Sequence, residues 1–121
     1  MQRKVLILST AAVGLVFVLV MSALPLRDHD LTRAEDIPAD TIILQLGAYL
    51  SIYEAHAAWE GLRSNPLIES TTAKMIMLKA RAEDHDIYRL RLIGFEDRNS
   101  ARKLCSDLVD QIISCIPIQE R

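Results

Sequence analysis

Tyr88-Arg89-Leu90-Arg91-Leu92-Ile93-Gly94-Phe95-Glu96-Asp97 is the stretch on which the fold of this chain turns. Arginine and leucine alternate with the period of two that puts one face of a strand in a core and the other outside it. The strand runs into a Gly-aromatic corner, and Asp97 stands where the N-cap of a following helix belongs. Ala101, Leu104, Cys105 and Leu108 then fall at i, i+3, i+4 and i+7, one apolar helical stripe. Some 45 residues earlier the same design appears. Residues 42–46, Ile-Ile-Leu-Gln-Leu, form an apolar run broken only by Gln45 and lead into Gly47-Ala48-Tyr49. Ser51 and Glu54 have the spacing of a capping box. Ala55, Ala58, Trp59 and Leu62 repeat the stripe, and the helix is expected to end near Ser64-Asn65-Pro66, because proline disfavours helix in the residue before it.

Between the two units, residues 74–81 and 87–93 read as strands joined by the polar loop Ala82-Glu83-Asp84-His85-Asp86. Setting Arg81 against Ile87 places Lys79 opposite Arg89 and Met77 opposite Arg91. In that register Met75, Met77, Lys79, Arg81, Arg89 and Arg91 share one face with Gln45. Ile76, Leu78, Tyr88, Leu90 and Leu92 share the other. A last strand is expected over residues 113–118, with Pro117 marking an edge. The order is β-α-β-β-α-β. This predicts an α+β, ferredoxin-like sandwich: a four-stranded antiparallel sheet with two helices on one face. The other face is left open, and function is expected there.

Ahead of this unit, residues 5–26 carry no charge, and 22 residues at helical rise span about 33 Å, enough for a bilayer core. Arg3 and Lys4 precede the run. That predicts a single-pass transmembrane helix or signal anchor, with residues 1–4 cytoplasmic and the rest outside. Ser22-Ala23 allows the rival reading of a cleaved secretory signal, although the run is long for one. Residues 27–41 are polar and acidic and read as a flexible linker, leaving residues 42–121 as the domain. One domain suits a 121-residue chain. The net charge of −2 gives no overall reason to bind nucleic acid.

With these elements in place, the chain resembles the SPOR domain, the sporulation-related repeat module of bacterial cell-envelope proteins. The resemblance rests on Ile43-Leu44-Gln45-Leu46-Gly47-Ala48-Tyr49 and on Tyr88-Arg89-Leu90-Arg91-Leu92-Ile93-Gly94-Phe95, and it covers residues 41–119. The family patterns are approximately V-Q-L-G-A-F and Y-R-V-R-V-G-P-F; the proline of the second is missing here. The resemblance implies a non-catalytic module that binds peptidoglycan, specifically glycan strands lacking stem peptides, as accumulate at division septa. It also implies an inner-membrane protein whose domain lies in the periplasm. Division proteins are expected as possible partners, and no cofactor is expected. The competing expectation is a protein-protein interaction module of the division machinery with weak or no glycan binding.

The open face gives this expectation its chemistry. Removing the stem peptide leaves a lactyl carboxylate on each muramic acid. Arg89 and Arg91 offer planar forks of donors matched to carboxylates. Gln45 both donates and accepts, which suits sugar hydroxyls and acetamido groups. Lys79 adds charge, and Met77 adds adaptable apolar surface for sugar rings. The glycan-binding candidates are therefore Gln45, Arg89, Arg91, Lys79 and Met77. The plainer alternative is that strand cations merely solvate a half-exposed sheet.

Cys105 on the buried stripe and Cys115 on the returning strand are candidates for a disulfide, which an oxidising compartment favours. Two buried thiols packing as small apolar groups remain the alternative. His29, His56 and His85 are scattered, and the repeated Asp-His-Asp at 28–30 and 84–86 lies in polar loops, so no metal site is expected. No Ser-His-Asp, Cys-His or paired-carboxylate spacing supports hydrolysis. RNA-recognition sheets share this strand order but need stacking aromatics that Tyr49 and Tyr88 do not supply.

Overall fold

The computed structural model describes residues 31–119. The expected membrane span, residues 5–26, lies outside them, and among the described residues no helix is long and apolar enough to cross a membrane. The elements are β1 (Ile43–Tyr49), α1 (Ile52–Leu62), a one-turn α2 (Pro66–Glu69), β2 (Lys74–Ala82), β3 (His85–Ile93), α3 (Arg98–Asp110) and β4 (Ile116–Ile118). The strands form one antiparallel sheet in the order β2-β3-β1-β4, the split arrangement expected of β-α-β-β-α-β.

Helix starts follow the sequence signals. Ser51 accepts from the Glu54 amide, while the Glu54 carboxylate accepts from the Leu50 amide. Asp97 accepts from the Ser100 amide at 2.7 Å. That bond holds the Asp97 carboxyl below its usual range. Asn65 caps α2 with Pro66 at its first position, a site where the missing N–H costs nothing. Its amide also donates to Gln111 at 2.9 Å, tying the end of α1 to the end of α3.

The core lies between the helices and one sheet face. It is built from Leu44, Leu46, Met77, Leu90 and Leu92 of the strands, Ala55 of α1, Ile68 of α2, and Ala101, Leu104, Cys105 and Leu108 of α3. Cys105 and Cys115 are joined in a disulfide, with Cα atoms 5.4 Å apart. The bridge fastens α3 to the approach of β4, whose three residues make a short edge.

The two Gly-aromatic segments differ in detail. Gly94 sits at φ +92, where an L side chain is strained, and an added Cβ would come within 3.2 Å of the Thr72 carbonyl. Here the chain does turn a corner, held by a bond from the Thr72 hydroxyl to the Gly94 carbonyl. Gly47 is no corner. The strand continues to Tyr49, and Gly47 belongs to a β-bulge, since Gln45 pairs with Arg91 but Gly47 pairs with Leu90. The inserted residue, Leu46, joins the helix-side core. The Tyr49 ring lies over Gly47, within 2.9 Å of where a Cβ would stand.

The β2–β3 register corrects the sequence reading. Arg81 pairs with Asp86, Lys79 with Tyr88, Met77 with Leu90 and Met75 with Leu92. The strands extend to Ala82 and His85, so the connection is the two-residue turn Glu83-Asp84, with Glu83 at φ +53. One residue of slip exchanges the faces of β2. Met75, Met77, Lys79 and Arg81 lie on the helix side, and Ile76 and Leu78 lie on the open side. The physical reason is visible in the charges. The expected pairing set Lys79 against Arg89, like charges directly opposite, whereas the actual one gives Arg81 an acidic partner. Met75-Ile76-Met77-Leu78 is apolar at every position, so burial alone cannot select between the registers.

Candidate functional site on the open sheet face

On the open face, cross-strand pairing assembles two rows. Ile116 of β4, Gln45 of β1, Arg91 of β3 and Ile76 of β2 form one. Ala48, Arg89 and Leu78 form the next. Gln45 and Arg91 thus stand side by side on the two central strands, and Arg89 is two residues along the same strand. The Arg91 Nε donates to the Gln45 Oε1 at 3.0 Å. Arg91 is 6% exposed, the one charged residue in the buried set among the described residues. A guanidinium so placed has its plane fixed by the amide beside it. Gln45 therefore has a structural reason to interrupt an apolar strand: it accepts a hydrogen bond from a buried cation.

The surroundings of the pair are apolar. Ile43, Ile76 and Leu78 are buried on this face, while Ile116 is 54% exposed at its rim. Low local polarity strengthens the attraction between a guanidinium and a carboxylate brought to it. Arg89 is half-buried between Ala48 and Leu78, and among the described residues no carboxylate pairs with it. What the face can do chemically is hold an anionic group with a planar oxygen pair, next to a flat apolar surface.

Two expected site residues are elsewhere. Met77 is 1% exposed and packs in the helix-side core. Lys79 lies on the helix side near the hairpin end, 3.6 Å from Asp86. Arg81 shares that carboxylate at 3.3 Å and also donates to the Asp84 carbonyl at 2.8 Å. These two cations stabilise the β2–β3 turn and are not beside Arg91. The residues that sequence reasoning missed are Ile76, Leu78 and Ile116; the avoidance of like charges across β2 and β3 is the signal for the first two, and Ile116 is placed by its pairing with Gln45.

Such a sheet, with helices on one side and a cation-amide pair on the other, places the chain in the split β-α-β class of small α+β domains. The chain belongs to the SPOR domain family, whose pattern matches residues 38–119. Among solved structures it is similar to the RlpA SPOR domain from Pseudomonas aeruginosa. The two share 15% identity over 64% of this chain and 96% of that one, with a TM-score of 0.51, a likeness of fold alone. No curated protein matches. Membership of this family of peptidoglycan-binding modules supports a general glycan-binding role.

Proposed function

We propose that the protein binds peptidoglycan glycan strands lacking stem peptides at the division septum, as a membrane-tethered, non-catalytic component of the cell envelope. Residues 5–26 are the inner-membrane tether in this reading, with residues 1–4 cytoplasmic and the domain periplasmic. The observation that carries it is the Gln45–Arg91 pair at the centre of the open face, with Arg89 adjoining. The lactyl carboxylate exposed when a stem peptide is removed meets the Arg91 and Arg89 guanidinium groups, and the sugar ring lies against Ile116. An intact stem peptide blocks this by converting the carboxylate to an amide and by its bulk. Met77 and Lys79 have no part in the contact.

Co-sedimentation with sacculi, with and without amidase treatment, tests the reading. Wild-type protein is expected to bind the treated sacculi at least ten-fold more tightly, and Arg89→Ala is expected to remove most of that gain while leaving the thermal transition in place. Equal binding to both sacculi refutes the preference. In dividing cells a fluorescent fusion is expected to collect at the septum.

The exposed Ile116 at one edge of this face, diagonal to the buried Ile43, favours one other reading, in which an apolar protein surface of the division machinery covers this face. Retention of septal localisation in cells that lack denuded glycan supports that alternative.

A further inference from the structure

The segment expected to be a free linker is attached to the domain at its downstream end. The Thr32 amide donates to the Met77 carbonyl at 2.7 Å, and Leu31 packs against the core. β2 is the outermost strand on its side of the sheet, so the chain arriving from residue 30 reaches the domain at that edge. Met77 lies between Ile76 and Leu78, which stand directly across from Arg91 and Arg89. With strands about 4.8 Å apart, the attachment point is roughly 10 Å from the backbone of β3.

The four residues before Leu31 are Arg27-Asp28-His29-Asp30. Asp30 and Asp28 are two and four residues from Thr32, within about 7 and 14 Å of it along an extended chain. Both carboxylates can therefore reach the arginine side chains across the edge strand. We propose that residues 27–30 dock on the open face, with Asp28 and Asp30 against Arg91 and Arg89, as an intramolecular occupant of the anion site. The occupant follows from where the chain meets the domain, from the reach and from the charge complementarity. It carries the same group, a carboxylate, that a denuded glycan strand presents. As competition, this rests on the glycan reading given above; as docking, it stands apart from it. A short tether holds the two carboxylates at an effective concentration in the millimolar range, so a glycan ligand must displace them and a single isolated carboxylate competes poorly. Only a strand offering several muramic acids in series wins, which restricts the site to long denuded stretches.

The test uses the full chain in detergent micelles, as wild type, as Asp28→Asn/Asp30→Asn, and as Asp36→Asn, an acidic neighbour on the far side of the Thr32 attachment. Without any glycan, the Nε–Hε NMR signals of Arg89 and Arg91 are expected to shift in the double variant and to stay in place in Asp36→Asn. Signals unmoved in the double variant overturn the docking, whatever the glycan result. With purified denuded strands, the double variant is expected to bind about 3- to 10-fold more tightly than wild type. Shifted signals with equal glycan affinity overturn the competition. If the signals shift but no form binds glycan, the docking holds and the glycan reading fails.

Discussion

The two strand-helix units look alike in sequence and are built differently. In the first, Gly47 is part of a bulge in a strand that continues, and the glycine provides room for the Tyr49 ring. In the second, Gly94 takes a positive φ at a true corner braced by Thr72. The first helix leads into α2 and is tied to its counterpart by the Asn65–Gln111 bond. The second is fastened by a disulfide and closes with a Schellman motif, in which the Ile112 and Ile113 amides donate to the Val109 and Leu108 carbonyls. A shared Gly-aromatic signature thus marks two solutions to one problem, the passage from strand to covering helix.

Removing the disulfide tests the contrast hardest. Cys105→Ser/Cys115→Ser is expected to cost about 3 kcal/mol on the loop-entropy account of a ten-residue separation. In hydrogen exchange the loss should fall mainly on α3 and β4, with α1 less affected. Uniform loss across both units would mean that they do not differ in how they are held.

The glycines come next. Gly94→Ala is expected to destabilise by about 2 kcal/mol, because the alanine must hold a positive φ beside the Thr72 carbonyl. Gly47→Ala meets the far end of a tyrosine ring that can swing aside, and about 1 kcal/mol or less is expected. Urea midpoints of the pair measure the difference, and equal losses would erase it.

A smaller effect of opposite sign is expected at the end of α3. Ile112 sits at φ +63 and is 96% exposed, in the left-handed position after a helix that glycine usually fills. A β-branched residue is strained there. Ile112→Gly should therefore stabilise the fold by about 1 kcal/mol, read as a raised thermal midpoint.

The caps give the finest comparison. Asp97 and Ser51 do the same work at the starts of α3 and α1, but only Asp97 titrates. Its folded-state pKa is lowered, so its contribution is fully present above the ordinary carboxyl range and is lost as pH falls through the folded value. Wild type and Ser51→Ala should lose this increment on acidification, and Asp97→Asn should not. Parallel pH profiles for Asp97→Asn and wild type below pH 5 would refute the assignment.

Much of the fold was legible in sequence because its signals are local. Alternation in residues 88–92, the caps at Ser51 and Asp97, and the helical stripes each depend on neighbours a few positions apart. Together they determined the element order, the split β-α-β topology and the side of β3 on which Arg89 and Arg91 stand. The family itself was legible from two short motifs. Three things were decided only by tertiary structure. The bulge at Leu46 and Gly47 is set by how β1 meets β3. The face of β2 is set by pairing, because its all-apolar stretch, residues 75–78, fits either register, and a two-residue turn with Arg81 against Asp86 selects one. The attachment of Leu31 and Thr32 joins parts of the chain 45 residues apart. Sequence alone therefore determined the order and kind of the main strands and helices, through local propensity and periodicity. The last strand, expected over 113–118, is confined to Ile116–Ile118, and the one-turn helix Pro66–Glu69 was not foreseen. Which side chains surround Arg91 depended on cross-strand register, a long-range choice made by charge pairing and packing together.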